Sequence, residues 1–279
     1  MSIPLAAANG HWGMWMLTAA TQLVARLGTR VVGNFQRSAG VLRSEGLGRF
    51  LQLSALSLSE PLRSQWLRRR VAADARQALS KLDTATKRRG LFIDCGSNIG
   101  QGYKFFSRYY TPDRYDYVLI EPNMNCLPHL HALRSEKLTM EIVAKAASVK
   151  DGYAELLGPP SDRPEPTHEG CSIVPIHNES LYRSQRFARD LVETFSLSQM
   201  IRAKSDLYDV VVLKLDVEGA EYEILDDMIR SGIHRDLYAA YVEFHSLYMR
   251  NSERRKKRAV ERKMIRAFLD AGTRFSRWI

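Results

Sequence analysis

The sequence predicts an α/β protein with a mostly parallel central sheet, helices on both faces and a helical N-terminal extension. Three observations predict the sheet. Leu91-Phe-Ile-Asp-Cys95 is a short apolar run that breaks into Gly96, Gly100 and Gly102, after which Tyr103, Phe106 and Tyr110 recur at helical spacing. Tyr117-Val-Leu-Ile120 is a second apolar run, closed by Glu121 about 20 residues past the glycines. Asp209 to Leu215 is almost continuously apolar, as strands covered on both faces are.

Residues 1–89 read as the extension and 90–279 as one larger domain. The chain of 279 residues carries a formal charge of +10. Residues 1–90 hold 14 Lys and Arg against 4 Asp and Glu, and the remainder holds 27 of each sign. The excess charge therefore belongs to the extension. Residues 1–25 contain no Lys, Arg, Asp or Glu, and their apolar part, Trp12 to Ala25, is shorter than the roughly 20 residues a spanning helix needs. It also lacks the positive start of a signal peptide. Two readings remain for residues 12–30: a helix packed over the domain, which we favour, or peripheral contact with an anionic membrane surface. Helical patterns continue through Leu42–Leu56 and Pro61–Leu82, with Pro61 placed as a helix start. Arg63, Arg68, Arg69 and Arg70 form either an anion-binding face or a solvated one. Cys95, Cys126 and Cys171 lie scattered, which suggests neither a disulfide framework nor a zinc site and fits a cytoplasmic setting.

The first strand, glycine turn and helix form the opening half of a nucleotide-binding βαβ unit. Without Cβ atoms the glycines let the backbone turn tightly and a ligand come close. The spacing Asp94-x-Gly96-x-x-x-Gly100 is not the dinucleotide fingerprint, and it ends the strand in an acid. A carboxylate there favours a cationic group and repels a pyrophosphate. S-Adenosylmethionine supplies an ammonium and a sulfonium. The turn residues Asp94, Gly96, Ser97, Asn98 and Gly100 are thus cofactor candidates. Glu121, followed by Pro122, stands where a carboxylate accepts hydrogen bonds from ribose hydroxyls. A helix follows near Met124–Arg134, whose His129 and His131 do not share a face. Met140 to Ala147 reads as the third strand. Residues 153–208 exceed a simple crossover and form an insertion, either a substrate lid or a passive hairpin, with strand-like runs at Tyr153–Leu157 and Cys171–Ile176.

The fourth strand ends in Asp216-Val-Glu218-Gly-Ala-Glu221, and ligands of open α/β sheets bind beyond the carboxyl ends of the strands. Asp216 and Glu218 therefore face the substrate, and Glu221 complements the positive end of the following helix. Lys214, inside a buried strand, requires an acidic partner. Leu237 to His245 reads as the fifth strand, with Glu243 and His245 on one face. A basic helix over Arg250–Arg266 packs through Val260, Met264, Phe268 and Leu269, leaving room for one last strand.

Phe92 to Gly100, Ile120-Glu-Pro122 and Leu213-Lys-Leu-Asp-Val-Glu-Gly-Ala-Glu221 resemble three signatures of the FkbM-family methyltransferases, and Glu243-Phe-His245 is similar to a further element of that family. The resemblance covers Gly90 to Met249. It implies a class I, Rossmann-like fold that uses S-adenosylmethionine to methylate hydroxyls of sugars, glycans or other small natural products. It also implies that the end of the third strand lines the adenine, at Ala146 and Ala147, and that the sheet closes with an antiparallel pair. Leu197-Ser198 departs from the family's Leu-Asp pair.

The methyl of that cofactor is already electrophilic, so the protein must mainly align an oxygen with it and remove the proton. His245 is the first candidate for the base, with Asp216 orienting it or acting directly and Glu218 and Glu243 beside it. No metal is assigned; a divalent ion on Asp216 and Glu243 is the alternative activation. Two rivals stand: a ribose 2′-hydroxyl methyltransferase of RNA, prompted by the basic segments, and a non-catalytic adaptor at a membrane surface. The acceptor and the oligomeric state are not legible.

Overall fold

Alternation along the strands decides the architecture. The computed structural model describes residues 47–82, 89–136, 138–158, 170–174, 187–248 and 251–278. Its strands are β1 (Gly90–Cys95), β2 (Tyr115–Ile120), β3 (Met140–Val143), β4 (Ala146–Ser148), β5 (Gly152–Gly158), β6 (Phe187–Ser196), β7 (Val210–Leu215), β8 (Ala239–Val242) and β9 (Arg274–Arg277). Six of them form one sheet in the order β3-β2-β1-β7-β8-β9, with every pairing parallel. Ile93 lies in register with Val118 on one side and Leu213 on the other. The chain divides into two compact units, Met1–Glu60 and Pro61–Ile279, and the sheet lies in the second.

The helices are α1 (Leu47–Leu79), α2 (Gln101–Phe106), α3 (Leu127–His131), α4 (Leu197–Ser205), α5 (Glu221–Ser231) and α6 (Asn251–Asp270). Leu91, Ile93, Cys95, Leu213 and Leu215 point to one face and pack with Leu197 and Ile201 of α4, Ile224 and Leu225 of α5, and Met264 and Phe268 of α6. Phe92, Tyr117, Leu119 and Val212 point to the other and pack with Leu67, Val71, Ala75 and Ala78 of α1, Phe106 of α2 and Leu130 of α3. Each such side chain stabilises the fold by about 1.5–3 kcal/mol relative to exposure. The sheet is therefore sandwiched between helices, as its sequence predicts.

Several elements differ from expectation. Pro61 lies inside α1 rather than starting a helix. A proline deletes one hydrogen bond, yet the Leu, Ala and Arg residues on either side are good helix formers and carry the helix through. The stretch Met140–Ala147 is two strands: β3 pairs with β2, whereas Ala146–Ser148 leaves to pair with Thr194–Ser196 of β6. The insertion contributes β5 and β6 to a separate three-stranded sheet, β4-β6-β5; of the run Cys171–Ile176, the described residues end at 174 and contribute a bridge between Leu157 and Ser172. In α6 the buried stripe is Arg254, Glu261, Met264 and Phe268, so Val260 and Leu269 are exposed. Arg277 and the Tyr222 hydroxyl bind Glu261, which accounts for a charge on that stripe. The last strand, β9, joins β8 in parallel, in contrast to the antiparallel closure that the resemblance implies.

Of the arginines considered for an anion-binding face, Arg70 pairs with Asp74 and Arg68 lies over the Phe105 ring. Asp74, on the buried face of α1, also receives the Tyr241 hydroxyl and Arg274, so α1 is tied to β8 and β9. No described helix is long and apolar enough to cross a membrane. Residues 12–30 lie outside the described residues.

Candidate active site

At the carboxyl ends of β1, β2, β7 and β8 the chain turns four times in one place. The turn after β1 passes against the end of β7: Gly96 has φ 77°, and a Cβ there would lie 1.7 Å from the Asp216 carbonyl oxygen. Only glycine fits. Ser97 is buried, donating its hydroxyl to the Asp94 carbonyl at 2.7 Å and accepting the Ile120 N–H at 3.1 Å, so it staples β1 to β2. Asn98 adopts φ 45° and donates its backbone N–H to Glu121 Oε2 at 2.8 Å. Glu121 Oε1 accepts the Asn123 N–H at 2.9 Å. Burial pushes this carboxyl up, and the two N–H groups pull it back. Pro122 follows it, half-buried, on the same rim.

Asp94 is fully enclosed, wedged beneath Gly102, where a Cβ would meet its carboxylate at 2.5 Å. The cation beside it is Lys214, whose ammonium lies 3.2 Å from Asp94 Oδ1 and 3.3 Å from Asp216 Oδ2 and donates to the Gly96 carbonyl at 2.8 Å. The lysine thus finds the acidic partner its buried position demands. Burial opposes its charge, but Asp216 and Asp94 outweigh that and hold it above the ordinary ammonium range. Burial in turn raises the Asp94 carboxyl, with Lys214 opposing the rise.

Asp216 continues the row of charges. Its Oδ1 lies 3.7 Å from His245 Nε2, which is also 3.3 Å from Glu218 Oε2 and 4.0 Å from Glu243 Oε1. The other nitrogen, Nδ1, faces Glu221 Oε1 at 3.3 Å, and that oxygen also accepts the His245 backbone N–H at 2.9 Å. Burial disfavours the imidazolium, but Glu221, Glu218 and Glu243 raise its pKa to about 10. Glu243 is pushed up to about 7 by burial and by Asp216 and Glu218, against the pull of His245. His245 opens a 3-10 turn, His245–Tyr248, just past β8, rather than ending the strand, but it still meets Glu243.

All four acid–base candidates, Asp216, Glu218, Glu243 and His245, are thus brought together. Glu218 sits at φ 53°, a left-handed conformation that costs a residue with a Cβ about 1–2 kcal/mol. Ala146 is buried in β4 against Leu156 and Val192, part of the three-stranded sheet. Glu221 stands in the first turn of α5, as the sequence predicts, and it is also fully buried and orients His245. As the first residue of α5 it carries no sequence signal of that second role, since one oxygen accepts the Gly219 N–H and the other meets His245. Asp216, Glu218 and His245 bring three potential ligand atoms within 4.8 Å of one another, but the nitrogen binds a metal only as neutral imidazole, and the surrounding carboxylates favour its protonated form.

Comparison with known proteins points to one family. None of the curated proteins compared matches the chain. Among solved structures, the methyltransferase FkbM of Methylobacillus flagellatus KT is 13% identical, with a TM-score of 0.36, over 62% of this chain and 36% of that one. The chain thus spans little more than a third of that protein's length. The model of the methyltransferase FkbM domain matches residues 94–272, from the acid at the end of β1 to the turn before β9. The chain therefore belongs to the FkbM methyltransferase family.

Proposed function

We propose that this protein is an S-adenosylmethionine-dependent O-methyltransferase acting on a hydroxyl of a sugar, glycan or other small natural product. One observation carries the reading: Glu243, a carboxyl with a pKa of about 7, lies within 4.0 Å of a buried imidazolium beside the glycine turn. A base poised near neutrality is what an alcohol of high pKa needs.

The residues present fit the cofactor. Asp94, Glu121, Asp216, Glu218, Glu221 and Glu243 outnumber Lys214 and His245 around the turn, an environment that suits a cation and opposes a pyrophosphate. Each Glu121 oxygen accepts one N–H, so each keeps a lone pair for a ribose hydroxyl. Gly96, Asn98 and Gly100 form the open turn next to it. When bound, S-adenosylmethionine supplies the electrophilic methyl.

The chain's own residues do the rest. Glu243 takes the proton from the acceptor hydroxyl, which replaces His245 as the base, because an imidazolium with a pKa of about 10 has no free lone pair at neutral pH. His245 holds Asp216, Glu218 and Glu243 together and stabilises the Glu243 carboxylate until the proton arrives. Asp216 links that cluster to Lys214 and so fixes it to the glycine turn.

Calorimetric titration of S-adenosylmethionine into wild type and into Asp94→Ala/Glu121→Ala protein tests the cofactor half. Micromolar binding that the double variant loses is the expected result; no binding by folded wild type removes the proposal. A screen of hydroxylated acceptors with labelled methyl donor tests the other half. A second reading, methylation of RNA ribose, draws on Arg255, Lys256, Arg262 and Lys263, all exposed on α6. It requires the logarithm of RNA affinity to fall linearly with that of salt concentration.

A further inference from the structure

Among the described residues, the insertion between the third and fourth strands of the main sheet reaches the catalytic turn at Ser172. Ser172 is buried, and its hydroxyl donates to the Glu218 carbonyl at 2.7 Å while accepting the Val174 N–H at 3.0 Å. Its own backbone is fixed from the other side: Ser172 N–H donates to the Leu157 carbonyl at 2.8 Å, and Leu157 N–H to the Ser172 carbonyl at 2.7 Å. Leu157 belongs to β5, so the hydroxyl is anchored to the three-stranded sheet.

The carbonyl it holds is half of one peptide. The other half, the Gly219 N–H, donates to Glu221 Oε2 at 2.7 Å. The Glu218–Gly219 peptide is thus gripped at both ends, by the insertion at its oxygen and by the His245-orienting acid at its nitrogen. This matters because Glu218 stands at φ 53° and Gly219 at φ 113°, a turn that the local sequence does not favour for glutamate. Rotation of that peptide changes ψ of Glu218 and φ of Gly219; it would take the Gly219 N–H from Glu221 and, through the Glu218 backbone, shift the carboxylate that faces His245 Nε2. Strain of this kind persists where its surroundings over-determine it.

We propose that Ser172 is a positioning residue for methyl transfer: its hydroxyl holds the Glu218–Gly219 peptide in the orientation that keeps the Glu218 carboxylate against His245. The insertion is then part of the active site, acting through that one hydrogen bond. This rests on the hydroxyl-methylation reading above.

The test combines kinetics with an amide readout that needs no substrate. In Ser172→Ala, kcat falls about tenfold, the weight of one hydrogen bond of roughly 1.4 kcal/mol, with donor affinity unchanged; Ser172→Thr, which keeps the hydroxyl, recovers most of it. In a Glu218→Gln background, Ser172→Ala costs nothing further, because the group it positions is already altered. Hydrogen exchange followed by NMR in Ser172→Ala shows the Gly219 amide exchanging about tenfold faster while the Ile224 amide of α5 is unchanged. Equal acceleration of both amides reveals general destabilisation and overturns the proposal, as do an unchanged Gly219 amide and additive kinetic losses. If wild type methylates no hydroxyl, the function proposed above fails, and the Gly219 exchange alone decides whether Ser172 holds the peptide.

Discussion

His245 is charged because four carboxylates surround it, and this sets the pH behaviour of the site. Its pKa of about 10 in the folded state exceeds the ordinary 6.5, so its contribution to stability is complete below pH 6.5 and is lost as pH rises through about 10. Glu243 acts in the same direction: its pKa of about 7 exceeds the ordinary 4.5, and the folded state loses that preference for the proton between pH 4.5 and 7. Denaturant midpoints therefore decline from mildly acidic toward alkaline pH, and His245→Gln removes the alkaline part of that decline. The same variant leaves buried carboxylates facing one another and costs about 3–5 kcal/mol, read from urea unfolding. Catalysis has the opposite dependence. The rate rises with pH to a plateau above an apparent pKa near that of Glu243, and Glu243→Gln lowers kcat on the order of 10²–10³-fold with donor affinity intact by calorimetry. The strand-end acids and His245 were legible because each ends an apolar run in a sheet whose ligands bind there. The protonation of His245 was not, since it depends on Glu221 folding back from α5 to reach Nδ1.

Among the elements, β1 and β7 carry the site, and they meet through an ion row rather than through apolar contact alone. Lys214→Met leaves Asp94 and Asp216 without their cation and destabilises by about 3–5 kcal/mol at neutral pH. The deficit shrinks as pH falls, because burial already raises the Asp94 carboxyl and protonating it removes its uncompensated charge; thermal unfolding at pH 5 and pH 8 checks this. Gly96→Ala forces a Cβ into the Asp216 carbonyl and abolishes donor binding, whereas Gly272→Ala, with φ 86° and open space around it, costs only about 1–2 kcal/mol. The central strands were readable from their unbroken apolar runs. β6 was not: it lies in a small sheet with one wet face, where Asp190, Leu191 and Glu193 are exposed and Val192 and Thr194 are buried. A mixed, polar run of that kind carries little periodic signal. The break of Met140–Ala147 was hidden for the reverse reason, since both pieces are strands and only their partners differ.

For the whole molecule, the segment before β1 is a structural part of the fold from Pro61 onward. Leu67, Val71, Ala75, Ala78 and Leu82 enter the core beside Phe92 and Tyr241, and Asp74 anchors Tyr241 and Arg274. A fragment of residues 61–279 therefore unfolds cooperatively, whereas a fragment of 90–279 exposes that face and lacks a cooperative transition, as circular dichroism on heating shows. The sequence placed helices here, but their burial depended on the shape of the sheet face they cover. The register of the sheet has a temporal consequence. Ile93 and Leu213 are neighbours in space, yet the ribosome makes one long before the other. A nascent chain can pair β1 with β2, and β2 with β3, early, but Asp94 must wait, hydrated, until Lys214 emerges and both charges are desolvated together. Such long-range closure is slow, so the step that joins β1 to β7 is also the one that brings Asp94 and Lys214 together.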